Sequence, residues 1–112
     1  MLKKTVVGLI ERVSIDRREY LARVDTGAER SSICKSVVEK MANGKKIPII
    51  KRVSLRTSTG TQERPVIKVS IKVRDRRLLA TFNVTDRHNM TYKVLIGQNI
   101  LKKDFLIDPQ VK

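Results

Sequence analysis

Cysteine, histidine, glycine and acidic residues are all scarce in this chain, and each scarcity excludes something. The 112 residues include one cysteine (Cys34), one histidine (His88), no tryptophan, five glycines and three prolines. A lone cysteine forms no internal disulfide, which fits a reducing compartment and gives a cytoplasmic expectation. One Cys and one His fall short of the ligand set of a structural or catalytic zinc site. No H-E-x-x-H is present, so neither metal nor cofactor is expected. The glycines, at positions 8, 27, 44, 60 and 97, lack a phosphate-cradling spacing, which argues against a nucleotide loop. No apolar run approaches the roughly 18 residues of a membrane span. The N-terminal apolar stretch is short, meets Glu11-Arg12 and has no small-residue cleavage site. It reads as a first strand rather than a signal peptide. The N-x-T triplets at Asn83 and Asn89 then read as chance.

Lys plus Arg number 25 against 11 Asp plus Glu, a formal charge of +14. With 40% hydrophobic residues in recurring patterns, the chain reads as one globular domain over 1–112. Its core is modest, so pairing with a second copy would help it. One basic group is Lys45, Lys46, Lys51, Arg52 and Arg56. Another is Lys72, Arg74, Arg76 and Arg77. Such residues serve as solvated strand faces that block stray sheet pairing, as nucleic-acid or ribosome surfaces, or as attractors of acidic peptides. Aromatics make up 4% of the chain, so base stacking is poorly supplied. Nucleic acid is therefore the less favoured partner, and its contacts would be to phosphate.

Turn signals at short intervals, with β-branched residues between them, predict an all-β fold with one or two short helices. Strands are expected at Lys4 to Ile15, Glu19 to Val24 and Lys45 to Arg56, the last interrupted at Pro48. Ile67-Val69-Ile71-Val73 and Leu78-Ala80-Phe82-Val84 alternate with polar residues, the period of half-buried strands. Val94-Leu95-Ile96 and Phe105-Leu106-Ile107 are shorter strands. Ile33, Val37, Val38 and Met41 recur at helical spacing, with Ser31 and Ser32 as available caps. Asn99 to Lys103 fits one helical turn. Turns are expected at Asp16-Arg17-Arg18, Asn43-Gly44, Thr57 to Thr61, Arg74 to Arg77 and Asp86 to Asn89. Cys34 reads as a small buried residue and His88 as an exposed loop residue. An apolar strand running into glycine occurs twice, before Gly27 and before Gly97.

The segment with chemistry is Val24-Asp25-Thr26-Gly27-Ala28, an acid at a strand end followed by a hydroxyl, a glycine and a small residue. A carboxylate can take a proton from water while a second carboxyl donates to a peptide carbonyl. Two carboxyls about 3 Å apart share one proton and titrate as a pair. Gly27, lacking Cβ, permits close approach of loops and substrate. As a turn after a strand, the triplet also needs no catalysis.

Asp25-Thr26-Gly27-Ala28 resembles the signature of aspartic proteases, and in a chain this short the single-domain retropepsins. Val94-Leu95-Ile96-Gly97-Gln98-Asn99-Ile100-Leu101 resembles their second signature. Thr57 to Pro65 stands where a retropepsin carries its flap. Thr61-Gln62-Glu63-Arg64-Pro65-Val66-Ile67, Asn83-Val84-Thr85-Asp86-Arg87 and Phe105-Leu106-Ile107-Asp108-Pro109 are similar to the prokaryotic retropepsin-like family labelled ATP-dependent zinc protease. The chain shows neither an ATP nor a zinc motif to match that label.

The resemblance implies a small closed β-barrel working as a homodimer, since one chain holds one D-T-G and a second copy must bring the other Asp25. It implies peptide-bond hydrolysis, with Asp25 in the dyad, Thr26 orienting it, and Gly27 and Ala28 at the floor of the cleft. Ser58, Thr59 and Gly60 would lie at the flap. Members are associated with ATP-grasp ligases that add glutamates to a ribosomal protein, which implies an acidic peptide substrate. Retropepsins often carry Asp at the place of Glu29 and Arg at the place of Gln98, an ion pair this chain lacks. The alternative is a retropepsin-like module without catalysis, docking RNA, a ribosomal surface or an acidic tail.

Overall fold

The computed structural model describes residues 3–86 and 91–111. His88 and most of the turn expected at Asp86 to Asn89 lie outside the described residues. Successive hairpins build one wall. Strand β2 (Ile10–Ile15) turns through Asp16 and Arg17, both at positive φ, into β3 (Arg18–Val24). Along β2 the side chains of Glu11, Val13 and Ile15 point inward while Ile10 and Arg12 face out. The long β6 (Gly60–Val73) pairs with β5 (Lys51–Thr57) over its first half and with β7 (Arg76–Thr85) over its second. Between these walls run β4 (Ser31–Cys34) and β8 (Val94–Ile96).

The sheet order is β2-β3-β8-β4-β7-β6-β5, and a further β2–β6 pairing closes it into a ring. That seam is short: Val13 faces Val73 and Ser14 faces Lys72. Strand β5 remains outside the ring as the free arm of a hairpin. The two strands that run into glycine lie side by side, β3 parallel to β8 with Val24 opposite Ile96. Inside the ring pack Val13, Ile15, Ile33, Ile67, Val69, Ile71, Phe82, Val94, Ile96 and Ile100, each nearly or wholly buried. Each such side chain contributes about 1.5–3 kcal/mol by leaving water. The expected all-β barrel is therefore the fold of the chain.

Three local expectations are corrected. Lys4 to Ile15 is two strands, because β1 (Thr5–Val7) leaves its neighbour and pairs in parallel with β9 (Phe105–Ile107). The break is held by Glu11, which is 4% exposed. Its Oε2 accepts the Gly8 N–H at 2.7 Å, and its two oxygens accept the Arg74 guanidinium at 2.7 and 2.8 Å. These bonds hold the Arg74 pKa above its ordinary value. The helix expected from Ile33 starts later, as α1 (Lys35–Ala42), because Ser31 to Cys34 are drawn into β4 between β7 and β8. Ser31 and Ser32 are strand residues, and the N-cap is Cys34, with no side-chain cap bond. Asn43, at left-handed φ, ends the helix. The strand expected from Lys45 begins only at Lys51. A second helix, α2 (Gln98–Leu101), follows Gly97. No helix of the described residues is long and apolar enough to cross a membrane.

Candidate active site

Asp25 is the first residue past β3, half-buried at the mouth of the barrel. Its position follows from strand register. Its N–H donates to the Ile96 carbonyl at 2.9 Å, extending the β3–β8 ladder by one bond. The loop then folds on its own carboxylate: the Gly27 N–H donates to Asp25 Oδ1 at 2.9 Å. A Cβ at Gly27 would stand 3.2 Å from that oxygen, so a larger residue there crowds the bond.

Behind the loop stands Gly97, the first residue past β8. A Cβ on Gly97 would meet the Arg30 carbonyl oxygen at 2.5 Å and the Ala28 carbonyl oxygen at 2.8 Å. Backbone packs on backbone there, and only glycine fits. The start of α2 satisfies the loop's carbonyls: the Gln98 N–H donates to Ala28 at 2.8 Å and the Asn99 N–H to Glu29 at 3.2 Å. Gln98 Nε2 donates to the Thr26 carbonyl at 2.8 Å. Where retropepsins often place an arginine, this chain has a neutral amide that tethers the loop directly. The Thr26 side chain is exposed.

Ser31, fully buried, links these pieces. Its Oγ accepts the Gly97 N–H at 2.9 Å and donates to Asn99 Oδ1 at 2.7 Å. Asn83, also buried, donates to the Ser31 carbonyl at 3.1 Å and accepts from Ser32 Oγ and from Arg64 Nη1. Arg64 is 7% exposed, and its Nε donates to Gln62 Oε1 at 2.8 Å.

Across the mouth, the β5–β6 hairpin turns tightly through Ser58 and Thr59, with Thr57 opposite Gly60. Gly60, at φ +130° with nothing near a Cβ, closes the turn rather than forming its tip. Thr57 Oγ1 donates to the Gly60 carbonyl at 2.9 Å.

Loop and hairpin enclose a cleft of about 990 Å³. Asp25, Gly27 and Ala28 lie on one side, and Thr57, Ser58 and Thr59 on the other. The sequence expectation named Asp25, Thr26, Gly27, Ala28, Ser58, Thr59 and Gly60. All but Thr26 and Gly60 line this cleft, and those two are chain neighbours of lining residues. Sequence reasoning gave no role to Arg64, Asn83 or Asp86, which also line it. The available signal was Asn83 and Thr85, polar residues that are both buried at the end of β7, where the strand's second face turns from solvent into the cleft. The cleft walls carry Arg30, Arg56 and Arg64 against Asp25, Glu29 and Asp86. Its formal charge is balanced, so the +14 of the chain lies elsewhere. Among the described residues, no three His, Cys, Asp or Glu side chains gather as a metal site.

A strand-end acid in a glycine-backed loop, beneath a hairpin and on a closed barrel, defines a retropepsin-like domain. Solved structures share the fold. A protein of unknown function from Legionella pneumophila, Lpg0085, superposes with a TM-score of 0.68 at 22% identity, covering 96% of this chain and 95% of that one. The retroviral protease-like domain of Ddi1 from Leishmania major gives 0.65 at 20% identity, over 92% and 78% of the two chains. Simian foamy virus protease gives 0.63 at 18%, over 83% and 91%. The family model described as the retropepsin-like aspartic endopeptidase RimB matches residues 35–112, and the chain belongs to that RimB-like family. The matched description carries neither the zinc nor the ATP of the label noted above. Asp25 precedes the matched span. No curated protein matches the chain.

Proposed function

We propose that the chain is an aspartic endopeptidase whose dyad is made by Asp25 of two copies. The observation that carries this reading is the cleft of about 990 Å³ with the Asp25 loop as its floor and the β5–β6 hairpin as its roof. The floor is fixed by backbone bonds on both sides, so a carboxylate there is preorganised. The second copy would approach the side where Thr26 is exposed. Leu9 supports that approach: its carbonyl accepts the Val24 N–H, which places it beside the loop, and it is 51% exposed.

In the dimer, one carboxylate would take a proton from water as its oxygen attacks the peptide carbonyl carbon. The other carboxyl would donate its proton to the carbonyl oxygen. Collapse of the tetrahedral intermediate breaks the C–N bond, and the amine leaves with a proton returned through the dyad. Closure of the roof would exclude water. Acidic peptides remain the substrate class this reading favours. Because the cleft walls are balanced in charge, that preference would rest on individual arginines such as Arg30 and Arg56 rather than on a net field.

The test is Asp25→Asn with peptide libraries read by mass spectrometry, alongside sedimentation equilibrium. Loss of about 10³-fold or more in rate, with the dimer retained, is expected. Full activity in that variant, or a wild-type protein that cleaves as a monomer, would remove the dyad.

A further inference from the structure

The outer wall of the barrel, beyond the cleft along β6 and β7, has a charge pattern that folding stability does not explain. Alternation puts Lys68, Ser70 and Lys72 on the outer face of β6, and the register brings Thr81, Leu79 and Arg77 opposite them. All six are exposed. Lys72 faces Arg77 directly, and like charges in register repel. At the near end of this face, a groove of about 740 Å³ is lined by Lys3, Lys4, Thr5, Lys72, Asp75 and Arg76, among others.

The carboxylates that could neutralise this surface are few. Glu11 is committed to Arg74, and Asp75 is the one carboxylate lining the groove. Arg76 is occupied, lying 4.5 Å over the Phe105 ring and donating to the backbone carbonyls of Lys103 and Asp104. Among the described residues, no ion pair involves Lys3, Lys4, Lys68, Lys72 or Arg77.

We infer that this wall is a second binding site, separate from the cleft, which takes the phosphate backbone of single-stranded nucleic acid. Lys68 and Lys72 are four residues apart on one strand, a span of about 13 Å, which suits a polymer of charges better than a single anion. Along this stretch β6 is paired with β7 on one edge, and on the other it meets β2 only at Lys72 and Val73, so the wall presents side-chain charge rather than a continuous backbone ladder. A phosphodiester chain needs only point charges, which lysines supply. No aromatic lies among the outward residues of this face, so binding is indifferent to base. The cleft, balanced in charge, does not compete for the same ligand.

The test is fluorescence anisotropy with a labelled 20-nucleotide oligo(U), titrated at several salt concentrations. The wild-type protein is expected to bind at about 50 mM salt and to weaken steeply as salt rises. Lys68→Gln, Lys72→Gln and Arg77→Gln combined should weaken binding about tenfold or more. The same changes should flatten the salt slope by about 2, the value for three lost phosphate contacts on a single strand. Relief of the Lys72–Arg77 repulsion should leave the melting temperature equal or higher, which separates lost contacts from lost fold. A matched triple change, Lys45→Gln, Lys46→Gln and Lys51→Gln, removes the same charge elsewhere and should change affinity by less than about threefold. Equal losses in both triples would reduce the effect to net charge and overturn the site. So would absence of binding at low salt, or displacement of the RNA by an equal concentration of a 20-residue polyglutamate.

Discussion

The floor and the roof of the cleft are both short turns at strand ends, yet they are built on opposite principles. The floor, residues 25–29, is bound from behind: its carbonyls accept from Gln98 and Asn99, Asp25 donates to Ile96, and Gly97 packs against its backbone without room for a methyl group. The roof, Ser58 and Thr59, belongs to a two-stranded arm outside the closed ring. The first four residues of β6 are exposed, and a Cβ on Gly60 would touch nothing. Many fixed bonds hold the Asp25 carboxylate in one place. Few tertiary bonds lower the cost of moving a hairpin. The same barrel thus carries a firmly held acid and a loosely held arm.

The comparison can be broken most severely at Gly97. Gly97→Ala drives a methyl into two backbone carbonyls and should cost about 3 kcal/mol or more, read by urea denaturation, with activity lost even where the protein stays folded. A cost below about 1 kcal/mol would mean the floor is not packed as described. Next is Glu11→Ala, whose hydrogen-bond partners are Gly8 and Arg74 and not either turn. It leaves the Gly8 N–H and the Arg74 guanidinium without their acceptor, at about 2–3 kcal/mol. The raised Arg74 pKa adds stability that is fully present below its unfolded value and lost only as pH rises through the higher folded one. Arg74 should therefore contribute no slope to stability between pH 5 and 9. Turnover measured well below the melting temperature should survive this change, which separates stability from the site.

Ser31→Ala removes the hydroxyl shared by Gly97 and Asn99 and should cost about 1–3 kcal/mol. A falling rate constant with little change in KM would show that floor geometry limits chemistry. The smallest stability effect is expected at the roof. Gly60→Ala meets no atom but strains a positive φ, at about 1–2 kcal/mol. Its kinetic effect should fall mainly on KM and on product release, seen by hydrogen exchange of residues 55–62 and by steady-state kinetics. If Gly60→Ala and Gly97→Ala gave equal losses of stability, the contrast between floor and roof would not stand.

What could be read from the sequence follows from local chemistry. Alternation in β6 and β7, the D-T-G triplet after an apolar strand, and Gly97 after Val94-Leu95-Ile96 all report on neighbours one to four residues away. These marked the fold class, the candidate acid and five of the residues that line the cleft: Asp25, Gly27, Ala28, Ser58 and Thr59. The misread boundaries at Gly8 and at Ser31 to Cys34 have one cause: each depends on a partner far along the chain, β9 for β1 and β7 and β8 for β4. The start of β5 is set nearer by, where Lys51 meets Val66 across the hairpin.

The sequence by itself determined which residue types and periods the chain offers: a half-buried β pattern, a single strand-end acid with small residues behind it, and an excess of positive charge. Only the tertiary structure decided where these meet. It set β3 beside β8 so that Asp25 rests on Ile96, and it buried Asn83 and Arg64 at the cleft. It also divided the charge between a balanced cleft and an unneutralised wall. The physical reason is that register and ring closure join residues across as many as about a hundred positions, and a hydrogen-bonding partner at that distance leaves no mark on the local pattern.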